Sequence, residues 1–238
     1  MEKRKKIIKY IGILALLCCT AIGCYGIISA PASDQSELEE ELMRNEQLLE
    51  QSDSLSETET ASEAETSSET QPPATGAAVE EKTPERTITV IGDSVFLGAA
   101  PAFKKLEKNA VIDAKISRQV YHGIDVARKL NKKHKLGDTV IISLGTNSNF
   151  NPATGQELLD YLGAERTIYW INVYGKNLDI QQQVNATIQK LAKKNDNVHV
   201  ISWADEGKKH PDWFYQDGVH LNTRGQPGFA EFIEENIN

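Results

Sequence analysis

Residues 86–238 read as an α/β sandwich of three layers, a five-stranded parallel sheet with helices on both faces. Three observations predict it. Short runs rich in Val, Ile and Thr alternate along the chain with longer amphipathic segments, the rhythm of repeated β-α-β units. The short runs are apolar throughout rather than at every second residue, as in strands buried on both faces. About 150 residues are enough for one such domain. The expected sheet is flavodoxin-like, of order 2-1-3-4-5. That order puts a functional crevice beyond the carboxyl ends of the first and third strands, where the winding reverses.

Strands are expected at 87–91, 110–113, 139–144, 167–172 and 199–203, and helices at 95–108, 124–133, 155–162, 178–194 and 225–236. The first helix lines up Phe96, Ala99, Ala100, Phe103 and Leu106 on one face. The fourth has the stripe Ile180, Val184, Ile188 and Leu191; the last has Phe229, Phe232, Ile233 and Ile237.

The chain before this domain differs in composition. Residues 1–33 carry a net charge of +4 and residues 34–70 a net of −12, whereas the rest balances, so the overall −8 says nothing about the folded part. A neutral domain offers no basic surface for nucleic acid. Cys18, Cys19 and Cys24 all lie in the N-terminal segment, leaving the domain neither disulfides nor a cysteine metal site.

Five bases precede an uncharged run at 10–30, long enough for one transmembrane helix. The base distribution keeps the N-terminus in the cytoplasm and sends the remainder outside. This is the pattern of a signal-anchor in the cell membrane. The alternative is a lipoprotein: Thr20-Ala21-Ile22-Gly23-Cys24 resembles a lipobox, which makes Cys24 the anchored residue. Residues 31–85, rich in Ser, Thr and Glu, read as a disordered linker whose charges extend it away from the bilayer. Leu38, Leu42, Leu48 and Leu49 can support a short helix within it, with Asn45 interrupting the seam.

Chemistry gathers at three turns. Gly92-Asp93-Ser94 follows the first strand and opens the first helix, so the Ser94 hydroxyl stands off the sheet with its N–H at a helix N-terminus, where negative charge is favoured. Gly145-Thr146-Asn147 closes the third strand, Gly145 permitting a close turn and Asn147 offering a side-chain amide. Asp217-Gly218-Val219-His220 precedes the last helix. Its spacing lets the carboxylate fold back onto one imidazole nitrogen while the other points away, which a serine nucleophile requires of its base. The remaining histidines, His122, His134, His199 and His210, sit in surface or structural contexts.

Together these blocks resemble the SGNH, or GDSL-type, hydrolase superfamily, over Thr87 to the C-terminus. Ile91-Gly92-Asp93-Ser94-Val95, Asp113-Ala114-Lys115-Ile116-Ser117-Arg118-Gln119 and Asp217-Gly218-Val219-His220-Leu221 are most similar to the extracytoplasmic catalytic domain of bacterial peptidoglycan O-acetyltransferases. The resemblance implies that Ser94 is the nucleophile, His220 the general base and then acid, and Asp217 the group that orients it. It further implies an oxyanion hole from the Ser94 N–H, the Ser117 N–H and the Asn147 side chain. Ser117 stands where the superfamily has glycine, with Gly123 a weaker substitute. Asp93, Gly145 and Trp213 are the candidate substrate contacts.

No cofactor and no metal are expected. Membrane O-acetyltransferases of this kind carry a many-helix domain that delivers the acyl group; here only one span precedes the domain. Either a separate membrane protein supplies acyl groups, or water removes them from cell-wall glycan. The competing class is a non-catalytic wall-binding or scaffold protein, for which Trp213, Phe214 and Tyr215 would stack on sugars.

Overall fold

Helix α1 spans Asp34–Glu63 and precedes β1 (Ile88–Gly92), α2 (Ser94–Leu106), β2 (Val111–Ala114), α3 (Gly123–Lys132) and β3 (Thr139–Ser143). There follow α4 (Pro152–Leu162), β4 (Thr167–Ile171), α5 (Gln181–Ala192), β5 (Val198–Ile201), the short α6 (Trp203–Gly207) and α7 (Gly225–Asn236). This is a computed structural model describing residues 34–63 and 86–237, with side chains over 35–52 and 86–237. The basic tip, the run at 10–30 with its signal-anchor and lipobox readings, and the stretch 64–85 lie outside the described residues. Among the described residues no helix is long and apolar enough to cross a membrane. The chain divides into units Met1–Glu37 and Leu38–Asn238; the second carries the sheet.

All strand pairs are parallel and the order is β2-β1-β3-β4-β5, as the sequence predicts. Alternate residues serve opposite layers. Val90, Ile141 and Tyr169 face the core shared with α1, α2 and α7, whereas Ile91, Val140, Ile142 and Trp170 face the one shared with α3, α4 and α5. On the first side Phe96 packs edge-on against Phe103 and Phe229, with centroids at 5.4 and 6.1 Å.

Helix boundaries differ from expectation for local reasons. Helix α4 begins three residues early because Asn151 caps it, accepting the Ala153 N–H at 2.9 Å, and Pro152 suits the first turn. Helix α5 begins late because Leu178 and Gln181 spend their N–H groups in turns back to Gly175 and Leu178.

A further difference lies upstream. The short helix that the sequence allows within the linker is α1, longer than expected, and its Leu38 and Leu42 are buried in the core of the domain. Asn45, expected to interrupt the seam, is itself buried. Leu42 settles over Gly98 of α2, with its Cδ2 3.7 Å from where a Cβ would stand.

Candidate active site

The register aligns the last residues of β1 and β3, Gly92 and Ser143. Asp93 continues the ladder by donating its N–H to Ser143 O at 2.9 Å. The two polar turns therefore leave the sheet side by side. Asp93 caps α2 by accepting the Val95 N–H at 3.0 Å, so Ser94 is the first helical residue. Gly92 is needed for this approach, since a Cβ there would stand 2.8 Å from Phe96 Cβ.

The third turn arrives on a hairpin. The Tyr215 N–H donates to His220 O at 2.9 Å, the Asn222 N–H to Trp213 O at 2.9 Å, and Phe214 bridges Leu221. Gly218 takes φ +68°, and its carbonyl accepts the Lys176 N–H at 2.9 Å, tying the hairpin to the loop after β4. Asn222 clamps the base of the hairpin, donating to Asp212 O and Phe214 O and accepting from the Arg224 and Gly225 N–H groups.

Ser94 Oγ, His220 and Asp217 form one chain of hydrogen bonds. Nε2 of His220 lies 2.9 Å from Ser94 Oγ, and Nδ1 lies 2.6 Å from Asp217 Oδ2. Asp217 Oδ1 meanwhile accepts the Val219 and His220 N–H groups at 2.8 and 3.0 Å, so the carboxylate is held by its own loop. Burial pushes the Asp217 carboxyl up, but the His220 ring and these N–H groups outweigh it and leave it below the usual aspartate range. An ionised Asp217 keeps a proton on Nδ1, leaving Nε2 to accept the Ser94 proton.

The second block closes round this centre through Arg118, a buried residue whose part in the site the motif reading does not foresee. Its guanidinium donates to Gly92 O at 3.1 Å and pairs with Asp113 at 2.5 Å, and its own carbonyl accepts the Asn147 amide at 3.1 Å. One residue thus ties all three β1–β3 blocks together. An amide carries two N–H donors, so Asn147 retains a second for an oxyanion. Ser117 adopts φ +59°, which explains why glycine suits that position. Gly123 is ordinary helix, and its N–H goes to Val120 O, which removes it as an oxyanion donor. Beside this turn a groove of about 520 Å³ runs along β2, walled by Glu46 and Leu49 of α1, by Ile116 and Ser117, and by Lys129 of α3.

Each of the three candidate substrate contacts has structural partners in the fold. Asp93 is 1 % exposed and faces inward, accepting the Thr146 hydroxyl as well as the Val95 N–H. Burial raises its carboxyl above the usual range, with these donors holding it back. Gly145 takes φ +136°, and a Cβ there would stand 2.8 Å from Val184 Cγ1, so its place is dictated by backbone and packing. Trp213 stacks on His210 at 3.8 Å, lies parallel to Trp203, and packs on Gly225 and Gly228. Its indole serves the packing beside α7. Phe214 is buried, and the Tyr215 hydroxyl is bound to Glu41. Among the described residues no group of three or more His, Cys, Asp or Glu side chains is placed to hold a metal ion.

The flavodoxin-like sheet carries a serine on the turn after β1, an amide after β3 and an Asp-x-x-His hairpin before the last helix, the arrangement that the resemblance to SGNH-type domains implies. The chain is 33% identical over 145 residues to the O-acetyltransferase OatA of Staphylococcus aureus (strain NCTC 8325 / PS 47), a match covering 60% of this chain and 24% of that protein. It thus spans about a quarter of the length of the curated relatives it matches. Its fold is shared with the C-terminal catalytic domain of Streptococcus pneumoniae peptidoglycan O-acetyltransferase A, solved with a methylsulfonyl adduct. That likeness has a TM-score of 0.56 and 22% identity, over 63% of this chain and 90% of that one. A lipolytic G-D-S-L family member from Veillonella parvula has a TM-score of 0.51 and 15% identity, over 63% and 96%. No protein-family model matches the chain.

Proposed function

We propose that this protein is a membrane-anchored, extracytoplasmic serine enzyme that moves O-acyl groups, acetyl above all, on cell-wall glycan such as peptidoglycan. The observation that carries the reading is the continuous hydrogen-bond chain Ser94–His220–Asp217. The names of the relatives support the acetyl group and the glycan. Residues 1–30 serve as the anchor and 86–238 as the catalytic domain.

Ser94 Oγ attacks the acyl carbonyl carbon while its proton passes to Nε2 of His220, and Asp217 stabilises the imidazolium. The carbonyl oxygen becomes an oxyanion held by the N–H groups of Ser94 and Ser117 and by the Asn147 amide, in the positive field at the start of α2. Collapse breaks the ester bond, and the leaving alcohol takes the proton from His220. The acyl-serine is then attacked by an acceptor hydroxyl that gives its proton to His220, and a second collapse frees Ser94. Water as acceptor makes the enzyme an esterase. A glycan hydroxyl, with acyl groups delivered by a separate membrane protein, makes it a transferase. A wall-binding scaffold would have no use for an imidazole aligned between a hydroxyl and a carboxylate.

A serine-directed sulfonyl fluoride should label the protein at Ser94, and Ser94→Ala should abolish labelling; a mutant that still takes the label removes Ser94 as nucleophile. With an acetyl ester and glycan fragments supplied together, acetylated glycan identifies the transferase. Free acetate as sole product at every glycan concentration identifies the esterase.

A further inference from the structure

Helix α1 touches both the helix that begins at the nucleophile and the hairpin that bears its base, and we infer that its Glu41 and Asn45 are positioning residues for the reaction. The inference rests on the acyl-serine reading and adds to it a strap from far upstream in the chain.

The reason begins with Pro101, which lies inside α2. Proline has no N–H, so the carbonyl four residues earlier, that of Leu97, has no donor within the helix. Asn45 supplies one. Its amide nitrogen lies 3.2 Å from Leu97 O and 3.3 Å from Gly98 O, with Asn45 only 5 % exposed. A buried amide and an orphaned carbonyl, each costly alone, satisfy one another. These carbonyls belong to the turn of α2 that follows Ser94.

One turn earlier on α1, Glu41 accepts the Tyr215 hydroxyl at 2.9 Å through one oxygen and the Gln226 amide through the other. Tyr215 is the residue whose N–H pairs with His220 O and whose carbonyl accepts the Gly218 N–H, each at 2.9 Å. Gln226 lies in the first turn of α7. One helix thus grips both the segment bearing the nucleophile and the hairpin bearing its base. Glu46 adds an ion pair at 3.3 Å to Lys115 of the second block, whose side chain is mostly exposed, so the pair is worth little by itself. The Ser94–His220 hydrogen bond joins segments 126 residues apart, and holding such a pair is what a strap is for. A misplacement of about 1 Å can slow a reaction roughly a hundredfold.

The test uses the full chain. Labelling by a serine-directed sulfonyl fluoride is measured per folded molecule, counted by near-UV circular dichroism, and kcat and KM are measured on a soluble acetyl ester. Glu41→Ala and Asn45→Ala should lower the labelling rate and kcat by about ten- to a hundredfold with KM nearly unchanged. Glu41→Gln, which keeps an oxygen for Tyr215, should retain most of the rate. Pro101→Ala returns an N–H to Leu97, so Asn45→Ala should cost much less in that background. Equal losses in both backgrounds overturn the role given to Asn45. Native rates per folded molecule in both alanine variants overturn the strap. A native chain that takes no label at Ser94 overturns the acyl-serine reading itself.

Discussion

Ser117 shows how a single residue can depart from a sequence pattern yet keep the backbone shape that the pattern's glycine would take. At φ +59° a side chain costs about 1–2 kcal/mol that glycine avoids. Glycine in turn adds about 0.5–1 kcal/mol of chain entropy to the unfolded state. Ser117→Gly should therefore stabilise the domain slightly, by roughly 0.5–1 kcal/mol, while its N–H stays in place. Urea unfolding, read as a higher midpoint at constant m-value, checks this. Asp113 sets the pH behaviour of the same block. Burial raises its carboxyl, but Arg118 and Lys129 more than offset that and hold it below the ordinary value of 3.8. A depressed carboxyl gives stability that is complete above that ordinary value and drains away as pH falls through the folded one. Thermal melts between pH 5 and pH 2.5 should therefore show an acid-side loss that is smaller in Asp113→Asn. The motif residues Ser94, His220 and Asp217 were legible because their pairing follows from a three-residue spacing and two strand ends. Thr146 and Arg118 were not, since each acts on a group distant in sequence: Thr146 on the Asp93 carboxylate, Arg118 on the Gly92 carbonyl. The inward-facing cap role of Asp93 was hard to read, because a cap and a substrate contact look alike in a Gly-Asp-Ser turn.

At the scale of elements, apolar patterning located every strand of the sheet, and chain order located the crevice. The patterning allowed a short helix at α1 but not its docking, for a physical reason: acids and polar residues dominate its sequence, and of its apolar side chains Leu38, Leu42 and part of Leu49 pack on the core. Two signals for it were nonetheless present. Residues 94–100 of α2 are apolar or small nearly all the way round, which a helix tolerates only when covered on more than one side. Pro101 within that helix demanded a donor from elsewhere, and an asparagine between leucines on a helical stripe is a suitable source. The other four histidines did go where their contexts suggested. His122 and Gln119 close a capping box, His199 lies by Tyr169, and His210 stacks on Trp213 and binds Glu206; His134 takes φ +55° beyond α3.

For the whole molecule, the docking of α1 changes what the acidic low-complexity stretch after it is for. Residues 38–52 and 86–237 belong to one unit, so the chain that joins them has both its ends on the same fold. The free energy of closing a flexible chain between two fixed points varies only with the logarithm of its length, about 0.6 kcal/mol per doubling. Deleting some ten residues from 64–85 should therefore leave turnover unchanged and the melting temperature the same or slightly higher. A turnover that declines with each residue removed would give the stretch a task of its own. By that reckoning a change in the length of 64–85 should cost the domain almost nothing, whereas a chain cut back to residue 86 discards the donor that Pro101 obliges another helix to provide.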